Sequence, residues 1–204
     1  MCAKRFMAVA RGAGGEAALS RIFRRAGILA LAAMAATAGA GCGRAPVAPP
    51  PAPRLEFVDH AELMARVAAH RGKVVVLDCW STSCPPCVRE FPGLVRLAAA
   101  HPQGVACLSL SFDYEGLGSP EEAAKGVRDF LASVGAERIE NLLSREEADV
   151  MYRKLELDSV PAVFVWRPDG SLARRFDDDD AKRRLGRPFT YTDVDVEVRS
   201  CLPR

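Results

Sequence analysis

Apolar positions along this 204-residue chain fall into blocks of two kinds, helix-like and strand-like. Asp59 stands before Leu63, Met64 and Val67, whose spacing predicts a capped helix that closes at Gly72. Val74-Val75-Val76-Leu77 follows as an unbroken β-branched run, the composition of a strand covered on both faces. From Pro85 to about His101, Phe91, Leu94, Val95 and Leu97 mark the inner side of a second helix, which Pro92 should kink. His101 then sits at its C-terminal end. Val105 to Phe112 reads as strand, and Ser119-Pro120-Glu121-Glu122 opens a helix reaching about Val134. A short strand near Leu142 and a helix from about Arg145 to Leu155 come next. Ala162–Trp166, then Pro168-Asp169-Gly170, then Leu172–Phe176 has the signature of a hairpin.

The tail from Thr190 supports two periods. Asp193 to Val198 alternates like a strand, yet Thr192 and Asp195 can form a capping box with Val194, Val198 and Leu202 on one helical face. The helix is chosen, to suit the fold argued below. From Val74 onward the order is βαβαβαββα, which predicts an α/β domain with a central mixed sheet flanked by helices. The acidic run Asp177–Asp180 and the basic Lys182-Arg183-Arg184 read as a solvated loop.

The first 54 residues follow another logic. Residues 1–42 carry six Lys/Arg against Glu16 alone, and a charge-free stretch runs from Ala26 to Gly41. A basic lead before about 15 apolar residues reads as a secretory signal, short of the roughly 20 needed to span a bilayer. It ends at Gly39-Ala40-Gly41-Cys42, which resembles a bacterial lipobox with Cys42 as the lipidated residue, although Gly39 stands where an aliphatic residue is usual. A plain cleaved signal, an uncleaved anchor, a cytosolic tail and a twin-arginine reading of Arg24-Arg25 are alternatives, and Met7 is a second candidate start. Residues 43–54 hold five prolines and read as an extended spacer. The folded domain is then 55–204, on the outer side of a membrane. Beyond residue 42, 25 acidic side chains outnumber 22 basic ones, which argues against a nucleic-acid partner.

Of seven cysteines, only Cys84 and Cys87 have a spacing that carries chemistry. C-x-x-C at a helix start puts both sulfurs on one face, one turn apart, within bridging reach. There the helix dipole and free amides favour the thiolate. Pro85 and Pro86 donate no hydrogen, so the amide left for Cys84 is that of Cys87, and the Cys84 thiol is expected to be acidified less than in Cys-Gly-Pro-Cys. Cys87, inside the first turn, is expected to be buried. Spacing alone leaves open a redox pair or half of a zinc site, and no second C-x-x-C or H-x-x-x-H completes the latter. Cys79 and Cys107 read as small buried hydrophobes.

The run from Val76 to Pro92, with Cys84-Pro85-Pro86-Cys87 and Glu90-Phe91-Pro92, together with Ser159-Val160-Pro161-Ala162, resembles the thioredoxin-like TlpA/ResA family over about residues 55–176. The resemblance implies a thioredoxin-like fold, a Cys84–Cys87 redox disulfide without cofactor, and a cis Val160–Pro161 bond facing the cysteines. It gives Asp78 the place of a buried acid able to move the Cys87 proton, and Glu90 that of an acidic residue beside the site. Either can also be read blandly, Asp78 as a strand-end residue and Glu90 as a solvated one. Trp80 keeps a packing role, while Ser83 stands where the family usually has Trp. The implied activity is reduction of disulfides in exported proteins, such as apocytochrome c, with recharging by a membrane electron donor. A disulfide oxidase or isomerase, or a copper- or haem-handling module, are the alternatives.

Overall fold

In the computed structural model, residues 51–203 are described. The predicted signal 1–42 with Cys42, and the spacer as far as residue 50, lie outside them. Among the described residues, no helix is long and apolar enough to cross a membrane.

The elements run β1 (Leu55–Val58), α1 (His60–Ala69), β2 (Val74–Trp80), α2 (Pro85–Glu90), α3 (Pro92–Ala100), β3 (Val105–Ser111), α4 (Pro120–Val134), β4 (Glu140–Ser144), α5 (Ala148–Leu155), β5 (Ala162–Trp166), β6 (Leu172–Phe176), α6 (Asp178–Arg184) and α7 (Tyr191–Cys201). The strands form one sheet in the order β1-β4-β3-β2-β5-β6. β1, β4, β3 and β2 are parallel, and β5 and β6 are added antiparallel. This is the mixed α/β sheet flanked by helices expected from the element order, and it agrees with the thioredoxin-like fold that the resemblance implied.

Both faces of the sheet are covered, which is why β2 and β3 are apolar on every residue but a few. Val74, Val76 and Trp80 face α2, α3, α4 and α7 through Phe91, Leu94, Val127 and Val194. Val75, Leu77 and Cys79 face α1 and α5 through Leu63, Val67 and Met151. Alternation along β2 therefore puts Asp78 on the first face, beneath α2. Cys79 and Cys107 are buried in β2 and β3 as read. Trp80 packs in an aromatic triad, 4.8 Å from the ring centroids of both Phe91 and Phe130.

Local signals held where capping chemistry is strong. Asp59 with Glu62 and Ser119 with Glu122 make the capping boxes of α1 and α4. Pro92 does more than kink its helix: the chain breaks there into α2 and α3, with Phe91 as the hinge residue. The last helix exists, but its box is Thr190 with Asp193, two residues earlier than the Thr192 and Asp195 expected. Both pairs have the right spacing. The earlier one lets Tyr191 turn inward, and Asp195 instead takes Arg199 and His101.

Two elements depart from expectation. β1 was not foreseen, because Leu55-Glu56-Phe57-Val58 is only four residues long and pairs with a strand some 85 residues away. The Asp177–Arg184 segment is helix α6, not a loop. Asp177 caps it, accepting from the Asp180 amide at 2.7 Å, and acids in the first turn and bases in the last oppose the helix dipole. Asp180 pairs with Arg184 at 3.1 Å and is itself buried. The charge order that looked like solvated loop is a helix signature.

Candidate active site

β2 delivers the chain to the carboxyl edge of the sheet, and Ser81–Ser83 then turn it into α2. Cys84 is the N-cap of α2, in extended conformation, and Pro85 and Pro86 fill the first two helical positions. Its sulfur accepts the Cys87 amide at 3.2 Å, the donor expected from the double proline. The two sulfurs are joined as a disulfide, with Cα atoms 5.3 Å apart. Cys84 is partly open to solvent, whereas Cys87 is 3% exposed. An attacking thiol therefore faces the outside, and its partner stands behind it.

Across from Cys84 the chain leading into β5 brings up the Val160–Pro161 bond, which is cis as the resemblance implied. The Val160 carbonyl oxygen lies 3.7 Å from the Cys84 sulfur. Pro85, Pro86 and Ser159 are exposed around the sulfur, and Val160 and Pro161 are half-buried. Pro161 and Cys84 thus bound one surface although 77 positions separate them in sequence.

On the face of the sheet beneath α2 lies the acid. Asp78 is 4% exposed, and its Oδ2 accepts a hydrogen bond from the Tyr191 hydroxyl at 2.7 Å. Burial pushes the Asp78 carboxyl up to about 7; the Tyr191 hydrogen bond opposes the rise, and the nearby Glu90 charge adds to it. A carboxyl poised near neutrality can both take and return a proton. Glu90, at the end of α2, is half-buried and close enough to be felt by Asp78, so the two acids share one neighbourhood. Burial also pushes the Cys107 thiol up to about 12 and the Cys79 thiol well above its ordinary value. Neither is an attacking thiolate. Among the described residues, no group of three or more His, Cys, Asp or Glu side chains is arranged to hold a metal ion. Cys42 lies outside the described residues.

Two participants were missed in the sequence. One is Tyr191, read only as part of an ambiguous tail. The other is Asp113, just beyond β3. Its carboxylate accepts from Ser81 Oγ at 3.2 Å, from the Thr82 amide at 3.0 Å, from Ser111 Oγ at 2.6 Å and from the Thr82 hydroxyl. Asp113 thereby ties down the loop that carries Cys84. The parallel register Trp80↔Ser111 starts both loops side by side. A polar residue just past a predicted strand was the available signal, but only the register joins it to Cys84.

No protein-family model matches the chain, and no curated protein does. Solved structures do. One is a secreted Mycobacterium tuberculosis disulfide oxidoreductase homologous to Escherichia coli DsbE, with 20% identity over 65% of this chain and 85% of that one, at a TM-score of 0.49. Another is a thiol:disulfide interchange protein of the thioredoxin family from Chlorobium tepidum, with 18% identity over 66% and 83%, at 0.48. A third is the thioredoxin domain of a thiol-disulfide oxidoreductase from Bacteroides vulgatus, with 19% identity over 64% and 83%, at 0.45. The fold itself is read from the strand order above.

Proposed function

We propose that this protein is an exported, membrane-tethered thiol–disulfide oxidoreductase that reduces disulfides in other exported proteins. The observation that carries the reading is the asymmetry of the cysteine pair. Cys84 caps a helix at the surface with the cis Val160–Pro161 bond against it, and Cys87 is buried behind it, on the face of the sheet that also carries the buried Asp78.

In the reduced protein the Cys84 thiolate attacks one sulfur of a substrate disulfide. That bond breaks, a mixed disulfide forms, and the first substrate thiolate leaves and is protonated. Cys87 then gives its proton to Asp78, and its thiolate attacks the Cys84 sulfur. The Cys84–Cys87 bond forms as the mixed disulfide breaks, and the second substrate sulfur takes up a proton. The substrate gains two electrons and the pair loses two, so a dithiol carrier at the membrane must return them. Pro161, with the exposed backbone before it, receives the substrate segment, and Glu90 holds negative charge beside the exchanging proton. Asp113 fixes the loop ahead of Cys84. Lipidation of Cys42 and the proline spacer of residues 43–54 would hold the domain just outside the membrane.

The direction of electron flow rests on the motif resemblance, and trapping tests the exchange through Cys84 on which it depends. Cys87→Ser should arrest the cycle at the mixed disulfide, so that exported proteins become bonded to Cys84 in cells. Recovery of reducible adducts with exported, cysteine-paired proteins is the expected result. The absence of any adduct on Cys84 would contradict it.

A further inference from the structure

Tyr191 is the first residue of α7, and its ring runs across α3 to reach a carboxylate that belongs to β2. Its path exists because residue 93 has no side chain. A Cβ on Gly93 would sit 2.3 Å from Tyr191 Cβ and 2.4 Å from its Cγ, distances no real pair of atoms tolerates. The obstructed atoms are the root of the side chain, so a small rotation does not relieve them. Hydroxyl and carboxylate meet in a dry environment, Tyr191 at 6% and Asp78 at 4% exposure. A buried carboxylate without a donor is costly, and Tyr191 is the donor given to it.

We propose that Tyr191 is a positioning residue for the Asp78 carboxylate, admitted to it through the gap that Gly93 leaves in α3, and that the pair holds this carboxylate ready to take the Cys87 proton. The proposal rests on the reading of Cys84 and Cys87 given above and deepens it. The titratable groups around Asp78 are Tyr191 from α7, Glu90 from α2 and Cys107 from β3, with Cys79 next to it in β2 but turned to the opposite face of the sheet. Of these only Tyr191 favours the ionised acid. Glu90 disfavours it, and the two thiols stay protonated. The C-terminal helix thereby enters the proton chemistry of a site built by the other end of the domain.

The sign follows. Asp78 works as a base when ionised, so the resolving step rises with pH through its titration. A donor to the carboxylate moves that rise to lower pH, and removing the donor moves it back up. In the full-length protein, Tyr191→Phe should shift the midpoint of disulfide turnover upward by about one pH unit, with about tenfold slower turnover below the midpoint. The Asp78 carboxyl, followed by carbon-13 NMR, should move by the same amount. Gly93→Ala keeps the hydroxyl but drives Tyr191 away from its path past α3, and should shift the midpoint in the same direction. In an Asp78→Asn background, Tyr191→Phe should produce no further shift. Unchanged midpoints in both Tyr191→Phe and Gly93→Ala, with turnover still dependent on Cys84, would overturn the proposal even if the melting temperature fell. A wild-type protein with no disulfide turnover would instead overturn the underlying reading, and this proposal with it.

Discussion

Cys84→Ser lowers disulfide reduction by roughly a thousandfold or more, to the background of the assay, because the atom that forms the mixed disulfide is gone. Serine keeps the size and the N-cap role, and its oxygen can still accept the Cys87 amide, so folding is spared. The loss therefore reports chemistry and not stability. Cys87 cannot take over the attack: it is 3% exposed, and in α2 its sulfur lies behind Cys84. Turnover with a small disulfide and excess reductant, measured against wild type and checked by circular dichroism, reads the effect. Substantial residual turnover would mean that another thiol carries the reaction, and Cys201 is the sole remaining free cysteine in the described domain that is not buried.

The largest effect on stability is expected at Phe91. It is fully buried, with its ring 4.8 Å from Trp80 and 5.2 Å from Phe130, and it ends α2 where Pro92 begins α3. Phe91→Ala removes one of three mutually packed rings and leaves a cavity the two helices cannot close, because Pro92 fixes their junction. The expected cost is about 4 kcal/mol, or about 10 °C in melting temperature for a domain of this size. The Phe91 amide, which donates to the Cys87 carbonyl at 2.9 Å, lies in the same turn, so the site should loosen with the core. Thermal unfolding measures the first effect. A change below about 1 kcal/mol would show that the triad repacks.

What could be read from the chain divides along the range of the interaction involved. Caps and breaks are local, and Asp59, Ser119, Pro92 and the Cys84 N-cap were all legible from a few neighbouring residues. The unbroken apolar run at Val74–Leu77 announced a central strand, and it is one. The Asp177–Arg184 run was also local, but net polarity was weighed there and the order of charge along a helix was not. β1 depends on pairing with β4, and four residues with Glu56 among them carry too weak a pattern to stand alone.

The site divides in the same way. Cys84 and Cys87 follow from spacing and helix position, and the cis Val160–Pro161 bond from the likeness of a short motif. Asp78 was suspected from its place in that motif, and its burial on the α2 face gives the suspicion a physical basis. Tyr191 and Asp113 had no comparable signal. Each matters through a contact made from a helix to the sheet or between loops, to residues 113 and 31 positions away. The shift of the α7 cap by two residues had the same origin: Tyr191 is buried against Gly93 and Asp78, and that packing chose between two equally spaced boxes.

The central claim is that Cys84 and Cys87 form a reversible two-electron pair. Equilibrating the full-length protein with glutathione buffers of graded potential, quenching, alkylating and counting modified cysteines by mass spectrometry tests it directly. The account predicts one transition in which Cys84 and Cys87 change together, tenfold in the ratio of reduced to oxidised protein for every 30 mV or so, with Cys79 and Cys107 unchanged throughout. A pair that does not exchange, or a transition that joins either of them to Cys79, Cys107 or Cys201, would contradict it.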